Sequence, residues 1–342
     1  GKRPLDYVYF GGGTPSYLSG KQLTEVFAGI KARMNWEHPA EVTFECEPGT
    51  LQRPKLEVLR ELGVTRLSLG IENFQDRILE INGRAHRSPE IFKAYGWCKE
   101  LGFEQINIDL IAGMVGETWD NWKDCIRQTL QLSPESITIY QMELPYNTVF
   151  SKEMHKPGSE DVPDFADWPT KRAWMQYAVD ELKANGYDQS SAYTLVKRGA
   201  KVSFVYRDAL WHGADLIGTG VASFGHLGSM HVQNFDQWDT YLGALDAGKL
   251  PFSRALALEN EERLIRELVL QLKTGQVEKA YFQQKFGIDI TQRFQQPIQQ
   301  LSDLGFLEQR NGHLGVTSKG LLQIDKELPI FFLPKHRGVR YT

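Results

Sequence analysis

The residues with the clearest chemical potential are three consecutive glycines, Gly11 to Gly13, followed by Thr14 and Pro15. They come directly after the apolar run Tyr7 to Phe10 and shortly before Ser19, which can cap a helix. Consecutive glycines allow positive φ angles and leave backbone amides uncovered, which suits the loop to a carboxylate, an amine-bearing ligand or a phosphate. A phosphate loop would normally end in Gly-Lys-Ser, which is absent here, and a plain tight turn is the structural alternative.

Acidic side chains accompany the apolar runs that follow along the chain. Glu45 and Glu47 precede a Pro-Gly pair, Glu72 follows the run Leu67 to Ile71, and Asp109 lies inside the run Ile106 to Ile111. If these runs are parallel strands, the acids converge on one mouth. An acid inside an apolar strand is costly to bury unpaired, so Asp109 needs a donor: a ligand amine, a ribose hydroxyl or an arginine. A purely structural buried ion pair is the alternative.

The elements that must position these residues alternate regularly. Short apolar runs predict buried strands at Tyr7 to Phe10, Val42 to Phe44, Leu67 to Ile71, Ile106 to Ile111 and Ile137 to Tyr140. Amphipathic segments predict helices between them at Lys21 to Met34, Pro54 to Leu62, Pro89 to Leu101 and Trp119 to Leu132. Such βα repeats predict an α/β fold with a parallel sheet, either doubly wound or closing towards a barrel.

The pattern changes in the second half of the chain. A long helix is predicted from about Pro169 to Asn185, then a glycine-rich stretch from Gly213 to Gly228, with a domain boundary near residue 250. Three helices and one hairpin are predicted beyond it, at Glu259 to Leu272, Val277 to Phe286, Ile290 to Leu304, and around Asn311-Gly312. This is a winged-helix-like pattern, but it lacks a basic recognition helix, so we expect no nucleic-acid partner.

Composition narrows the class of protein. The 342 residues are 41% hydrophobic and 24% charged, with a net charge of -4, so no global basic field favours nucleic acid. No apolar run approaches the roughly 20 residues of a membrane span, and no charged-then-apolar leader is seen. We therefore expect a cytoplasmic protein. The three cysteines, Cys46, Cys98 and Cys125, are too far apart for a disulfide framework or an all-cysteine metal site.

These motifs together resemble a known family. The glycine triplet with Thr-Pro, the segments FECEP at 44–48, RLSLGIENF at 66–74 and NIDLIAG at 107–113, and the later matching stretches are similar to the oxygen-independent coproporphyrinogen III dehydrogenases. The resemblance covers nearly the whole chain. It implies a partial (β/α)6 radical S-adenosylmethionine barrel missing its first βα unit, with its extension at 1–250 and a C-terminal helical domain at 251–342.

The resemblance also implies a cofactor site. The methionine part of S-adenosylmethionine would be held by the glycine loop and an arginine, and the ribose and adenine by residues from later strand ends. In this sequence the implied residues are Gly12, Gly13, Thr14, Glu45, Glu72, Arg84, Asp109, Met142 and Leu256. Acids can accept from ribose hydroxyls, and arginine pairs bidentately with a carboxylate. One departure is Glu72, where the family commonly has glutamine, which adds a charge beside the nucleoside.

A larger departure concerns the family's four-iron, four-sulfur cluster, which a Cys-x3-Cys-x2-Cys loop binds after the first strand. No spacing among the three cysteines of this chain can replace that loop. The cluster supplies the electron that splits S-adenosylmethionine, which side chains cannot do. Since the chain begins at Gly1 without methionine, we expect the cluster cysteines upstream by truncation rather than natural loss, and no activity from the chain alone.

The implied reaction is oxidative decarboxylation of coproporphyrinogen III in heme biosynthesis, with flavodoxin or ferredoxin as reductant and a monomeric enzyme. A cluster of basic residues could pair with the substrate carboxylates or form a solvated loop: Lys197, Arg198, Lys201 and Arg207. Relatives with the same barrel include heme chaperones, heme-degrading enzymes and radical methyltransferases. Three histidines could ligate heme in such a binder, although each alone is more often structural: His212, His226 and His231.

Overall fold

The structure is a computed structural model that describes residues 3–143 and 165–338. The chain forms two compact units that divide between Tyr206 and Arg207. The domain boundary near residue 250 stays a prediction. In the structure, residues 207–250 belong to the same compact unit as the C-terminal residues. Among the described residues, none of the helices is both long and apolar enough to cross a membrane.

The first unit is built on a seven-stranded sheet whose first five strands are parallel. These are β1 Tyr7–Phe10, β2 Glu41–Cys46, β3 Arg66–Glu72, β4 Gln105–Ala112 and β5 Ser136–Gln141. Each strand pairs with the next one along the chain. This consecutive order is that of a barrel-type winding and excludes the doubly wound alternative, in which the order reverses at a switch point. The predicted α/β fold with a partial barrel is confirmed.

The crossovers between these strands are helices. They are α1 Gly20–Lys31, α2 Arg53–Glu61, α3 Asp76–Ile81, α4 Ser88–Glu100 and α5 Trp119–Leu132. Ser19 caps α1 through a reciprocal capping box with Gln22, and Thr118 caps α5 by accepting from the amide of Asn121. Four of the five helices match the predicted segments within a few residues, whereas the short helix α3 was not predicted.

Side chains alternate between two environments along each parallel strand. Alternate residues such as Phe44, Leu69 and Ile108 are fully or almost fully buried in the apolar core. The residues between them are polar, and side-chain hydrogen bonds between neighbouring strands show that they share the opposite face, as between Ser68 and Asn107 at 3.0 Å. The strands therefore carry a second, polar face, and Asp109 belongs to that face rather than being an isolated exception.

The sheet ends in an antiparallel edge that the sequence did not predict. Helix α6 Trp168–Ala184 leads to β6 Tyr187–Gln189 and β7 Thr194–Lys197, and β7 pairs antiparallel with β5. The helix matches the predicted segment Pro169 to Asn185. The α7 helix, Val205–Trp211, follows this edge.

The second unit contains two small antiparallel sheets and several short helices. One sheet has the order β10-β9-β8, with β8 Phe224–Leu227, β9 Met230–Asn234 and β10 Phe252–Ala257. The other has the order β11-β13-β12, with β11 Gln276–Glu278, β12 Leu307–Arg310 and β13 His313–Val316. The helices are α8 Trp238–Asp246, α9 Asn260–Leu272, α10 Lys279–Phe286, α11 Ile290–Arg293, α12 Gln295–Asp303, α13 Ser318–Leu321 and α14 Ile324–Glu327.

The predicted hairpin lies between Leu307 and Val316, and Gly312 takes a positive φ of 77° in its turn. Two helix predictions need correction. The segment Ile290 to Leu304 is not one helix, because the backbone leaves helical geometry at Phe294. The segment Val277 to Phe286 becomes helical only at Lys279, because residues 276–278 pair as a strand with β13.

Candidate functional site at the strand ends

The glycine loop after β1 is open on one side and tightly packed on the other. A Cβ at Gly11 would lie 2.6 Å from the ring of Tyr9 and 2.9 Å from the carboxyl group of Glu45. By contrast, no atom of the described residues lies within 4 Å of a Cβ at Gly12 or Gly13. Gly12 has a φ of 96°, which favours glycine. The loop therefore leaves open space in front of exposed backbone, which is what a ligand cradle requires.

Glu45 at the end of β2 ties the loop to the sheet. Its Oε2 accepts the amide of Gly12 at 3.1 Å, and its Oε1 accepts the hydroxyl of Tyr9 at 2.5 Å. Burial and the carboxylate of Glu45 raise the pKa of Tyr9, whose ring stacks on Tyr206 at 4.5 Å between centroids. Tyr9 thus remains a proton donor that orients Glu45. Tyr9 was not predicted as a site residue, because a tyrosine within an apolar run is typical of a buried strand.

Asp109 in β4 is held by uncharged donors of the polar face. Its two carboxylate oxygens accept Ser68 Oγ at 2.7 Å and Asn107 Nδ2 at 2.9 Å. Asn107 is fixed in turn by the hydroxyls of Ser136 and Thr138. Burial raises the pKa of Asp109 to about 6, even though these hydrogen bonds oppose the rise. The expected donor is therefore supplied by a serine and an asparagine, and ribose binding by Asp109 stays a prediction.

Glu72 at the end of β3 forms an ion pair with Arg84. The Glu72 side chain is 13% exposed and the Arg84 side chain 38% exposed. Glu72 has a φ of 66°, unusual for a residue with a Cβ, and the register with β4 shifts between Gly70 and Glu72. Burial raises the pKa of Glu72 to about 7, although Arg84 opposes the rise. Strain and strand irregularity often accompany functional sites.

Arg84 is presented by a segment that a half-buried asparagine and a buried histidine hold in place. Asn82 donates to the carbonyls of Ile78 and Val115. His86, which is fully buried, lies 3.1 Å from the carbonyl of Ile71 through its Nε2. Neither residue was predicted to matter, and a lone histidine or asparagine in a sequence carries no signal of such a position.

Met142 lies just beyond β5, and its backbone is fixed on both sides. Its amide donates to the carbonyl of Ala112 at 2.8 Å, and its carbonyl accepts Lys171 Nζ at 2.8 Å. Lys171, from α6, is only 1% exposed, and its stem lies where a Cβ on Gly113 would be. Burial lowers the pKa of Lys171 to about 8. Lys171 was not predicted, because lysine is almost always a surface residue of a helix.

The remaining sequence-predicted residues belong to the second unit or have other partners. Leu256 lies on β10 in the second unit, where it is 51% exposed, and its role stays a prediction. Of the basic residues, Arg198 pairs with Asp188 at 2.9 Å and Arg207 with Asp208 at 2.7 Å. Substrate binding by this set also stays a prediction.

The cysteines do not form a metal site. Cys46, Cys98 and Cys125 are buried free thiols, and burial raises the pKa of each. Within residues 3–143 and 165–338, no group of three or more histidine, cysteine or acidic side chains could hold a metal ion. The described residues therefore do not supply ligands for an iron–sulfur cluster.

Comparison with known proteins gives the class. The Radical SAM superfamily model matches residues 1–129, and the HemN C-terminal domain model matches residues 258–322. The heme chaperone HemW of Bacillus subtilis is 28% identical, over 94% of this chain and 84% of that protein. The oxygen-independent coproporphyrinogen III oxidase of Synechocystis is 25% identical, over 96% of this chain and 74% of that protein.

One solved structure is similar over nearly the whole length. Coproporphyrinogen III oxidase (HemN) from Escherichia coli superimposes with a TM-score of 0.82, at 20% identity, over 96% of this chain and 78% of that one. This likeness shows the fold. The two matched domains, in this order on this fold, define a radical S-adenosylmethionine protein. The chain belongs to the HemN/HemW-like members of that class.

Membership in this class implies two cofactors, S-adenosylmethionine and a four-iron, four-sulfur cluster. The described residues suit the first, because open glycine backbone, a guanidinium and three carboxyl groups lie at or near the ends of neighbouring strands. They do not suit the second, for which no ligand set exists among them.

Proposed function

We propose that this chain carries the S-adenosylmethionine site of a radical oxidoreductase that acts on a tetrapyrrole. The reaction we propose is oxidative decarboxylation of coproporphyrinogen III, in a cytoplasmic, monomeric enzyme that receives electrons from a flavodoxin or ferredoxin. The observation that carries the proposal is the strand-end cluster on four consecutive parallel strands. Glu45, Glu72 and Asp109 lie within β2, β3 and β4, and Gly12 and Arg84 lie in the segments after β1 and β3. Relatives named as oxygen-independent coproporphyrinogen III oxidases support the choice of substrate.

Each residue of the cluster has a distinct part in binding. Arg84 would pair with the carboxylate of the methionine portion, since a guanidinium matches a carboxylate bidentately. Asp109 and Glu45 would accept from ribose hydroxyls, and Met142 would lie against the base. When bound, the two cofactors supply one-electron cleavage of the sulfonium to a radical that removes a hydrogen atom from the substrate.

The test uses the full-length protein that includes a three-cysteine motif, reconstituted anaerobically with iron and sulfide. With reductant and coproporphyrinogen III, we expect 5′-deoxyadenosine and carbon dioxide to form together. Because the described residues hold no cluster ligands, we expect no product from the 342-residue chain without that motif. Arg84→Gln should abolish product, whereas Lys21→Gln, on the exposed face of α1, should not. A reconstituted protein that forms no 5′-deoxyadenosine contradicts the proposal.

A second candidate function is heme binding, which one observation in the second unit favours. His226 and His231 are cross-strand partners with ring centroids 4.7 Å apart. Among the described residues, Nδ1 of His226 has no hydrogen-bond partner, and burial lowers the pKa of His226 to about 4. A neutral imidazole is the form that ligates iron. Several relatives are named heme chaperones.

Heme titration distinguishes this candidate from the first. If His226 or His231 ligates heme, replacing it with alanine should shift the Soret band and weaken binding, whereas His313→Ala on β13 should not. His212 is a weaker candidate, because its Nδ1 already lies 2.6 Å from the carbonyl of Asp208. Turnover of heme in place of coproporphyrinogen III by the reconstituted protein would support the heme-degrading alternative.

A further inference from the structure

We propose that the Glu72–Arg84 ion pair is an internal substitute for the ligand carboxylate, so that S-adenosylmethionine binds by opening this pair while Glu72 takes up a proton. The inference rests on the proposed function, because it takes S-adenosylmethionine as the ligand. It adds a property of this chain's own site: cofactor affinity that falls as the pH rises.

The geometry distinguishes a fixed partner from a movable one. Glu72 is largely buried, and its backbone is held at a strained φ of 66° beside a shift in strand register. Arg84 lies in the segment between α3 and α4, and its long side chain is about one-third exposed. Arg84 can therefore turn towards a ligand carboxylate, whereas Glu72 must stay where it is.

The charges that face Glu72 decide what happens when Arg84 leaves. Asp109 from β4 and Glu47 from the end of β2 both raise the pKa of Glu72, whereas Arg84 lowers it. Among the charged groups that act appreciably on Glu72 in the structure, Arg84 is the cation. Once Arg84 is neutralised by a ligand carboxylate, Glu72 is a buried carboxyl group beside two acids. Such a group is stable only when protonated.

Glu72 is already close to being protonated while it is still paired with Arg84. Burial raises the pKa of Glu72 to about 7 while Arg84 is still its partner. Binding would raise this pKa further, so one proton enters with the ligand at any pH above about 7. A neutral glutamine of the same shape would leave Arg84 available at every pH and would need no proton.

The experiment compares the dissociation constant of S-adenosylmethionine between pH 6 and pH 9 in the full-length reconstituted protein and its Glu72→Gln variant. For the wild-type protein we expect affinity to weaken above pH 7 by up to about tenfold per pH unit, the effect of one linked proton. The ligand's own ammonium group titrates equally with both proteins, so the readout is the difference between their profiles. Calorimetry in two buffers of different ionisation enthalpy should show proton uptake for the wild type only.

Glu47→Gln is the matched control, because it removes another acid that faces Glu72 but leaves the ion pair with Arg84 intact. This variant should keep the pH dependence, with its midpoint moved to lower pH. Parallel profiles for wild type and Glu72→Gln, or tighter binding by the wild type at pH 8, would contradict the inference while leaving the proposed function in place. Absence of binding by all three folded proteins would contradict the proposed function, and the inference with it.

Discussion

At the residue scale, the glycines after β1 have different surroundings and therefore different roles. Gly11 lies against Tyr9 and Glu45, so its missing side chain is required by the protein itself. Gly13 faces open space, so its missing side chain matters only to something that occupies that space. The three glycines are indistinguishable in the sequence. Only the packing around them shows that Gly11 is required by the protein's own structure and that Gly13 leaves space for a ligand.

This division gives a matched pair of substitutions. Gly11→Ala should lower the free energy of unfolding by about 1–3 kcal/mol, because its Cβ has no room between a fixed ring and a carboxyl group. Gly13→Ala should leave the thermal unfolding temperature unchanged but weaken S-adenosylmethionine binding in equilibrium dialysis. Equal stability of the two variants, or full binding by Gly13→Ala, would contradict the assignment of the open side of the loop to the ligand.

Lys171 should position Met142 without contributing a charge to the ligand. Lys171→Met keeps the apolar stem that packs against Gly113 but removes the ammonium that holds the Met142 carbonyl. We expect roughly tenfold weaker S-adenosylmethionine binding, equivalent to the loss of about one good hydrogen bond, with little change in thermal stability. Lys21→Met, on the exposed surface, is the control. Unchanged affinity for Lys171→Met would show that Met142 needs no anchor.

At the scale of elements, the regular part of the fold followed directly from sequence patterns. The five parallel strands and four of their crossover helices were predicted from the sequence. Short apolar runs indicate buried strands, and amphipathic segments with a capping residue indicate helices. The polar face was not predicted, because Ser68 and Asn107 are small polar residues with hydrogen-bond partners on neighbouring strands. Val277 and Glu278 of β11 were predicted as the start of a helix, but they form a strand because pairing with β13 overrides local propensity.

The loops that carry the strand-end residues are joined by a buried acid, Glu117. Its Oε2 accepts the amides of Gly113 and Met114, and its Oε1 accepts Asn73 Nδ2 at 2.8 Å. The bond to Asn73 connects the segment after β4 to the segment after β3. Burial raises the pKa of Glu117 to about 8, although these hydrogen bonds oppose the rise.

This raised pKa predicts how stability depends on pH. The folded protein binds the Glu117 proton more tightly than the unfolded chain, whose glutamate titrates near 4.5. The contribution of this proton is therefore complete below about pH 4.5 and is lost as the pH rises through 8, by at most about 1.4 kcal/mol per pH unit. Urea unfolding between pH 5 and 8 should show a smaller decline for Glu117→Gln than for wild type.

Two observations keep that prediction specific to Glu117. Glu72 and Asp109 also have raised pKa values and titrate in the same direction, so the decline should become smaller in the variant but not vanish. Glu104→Gln, at an exposed turn position, should keep the full wild-type decline. Identical pH profiles for wild type and Glu117→Gln would mean that Glu117 is ionised at little cost.

At the scale of the whole molecule, the described residues include a candidate cofactor site but no ligand set for an iron–sulfur cluster. Its three thiols are buried and belong to no group of three or more potential metal ligands among the described residues, so we expect them to take no part in iron binding. Single Cys46→Ala, Cys98→Ala and Cys125→Ala substitutions in the full-length protein should each retain the iron content of the reconstituted wild type. Loss of iron from any variant that stays folded would overturn this expectation.

The resemblance supplied what local patterns could not, namely which ligand we propose for the strand ends. Patterns alone left the glycine loop open to a carboxylate, an amine or a phosphate. The structure brings Gly12, Glu45, Glu72, Arg84 and Asp109 to the ends of neighbouring strands, although Gly12 and Asp109 are 97 positions apart in the chain. The substrate does not follow in the same way, because its recognition depends on residues with no fixed spacing in the sequence.

The most direct test of the central claim is a crystal structure of the full-length protein with S-adenosylmethionine bound. We predict the ligand at the carboxyl ends of β1 to β4, over the open side of Gly12 and Gly13, with its carboxylate on Arg84 and its ribose hydroxyls within hydrogen-bond distance of Asp109 or Glu45. A ligand bound elsewhere, with Arg84 still paired to Glu72 and the glycine loop covered by side chains, would contradict the account.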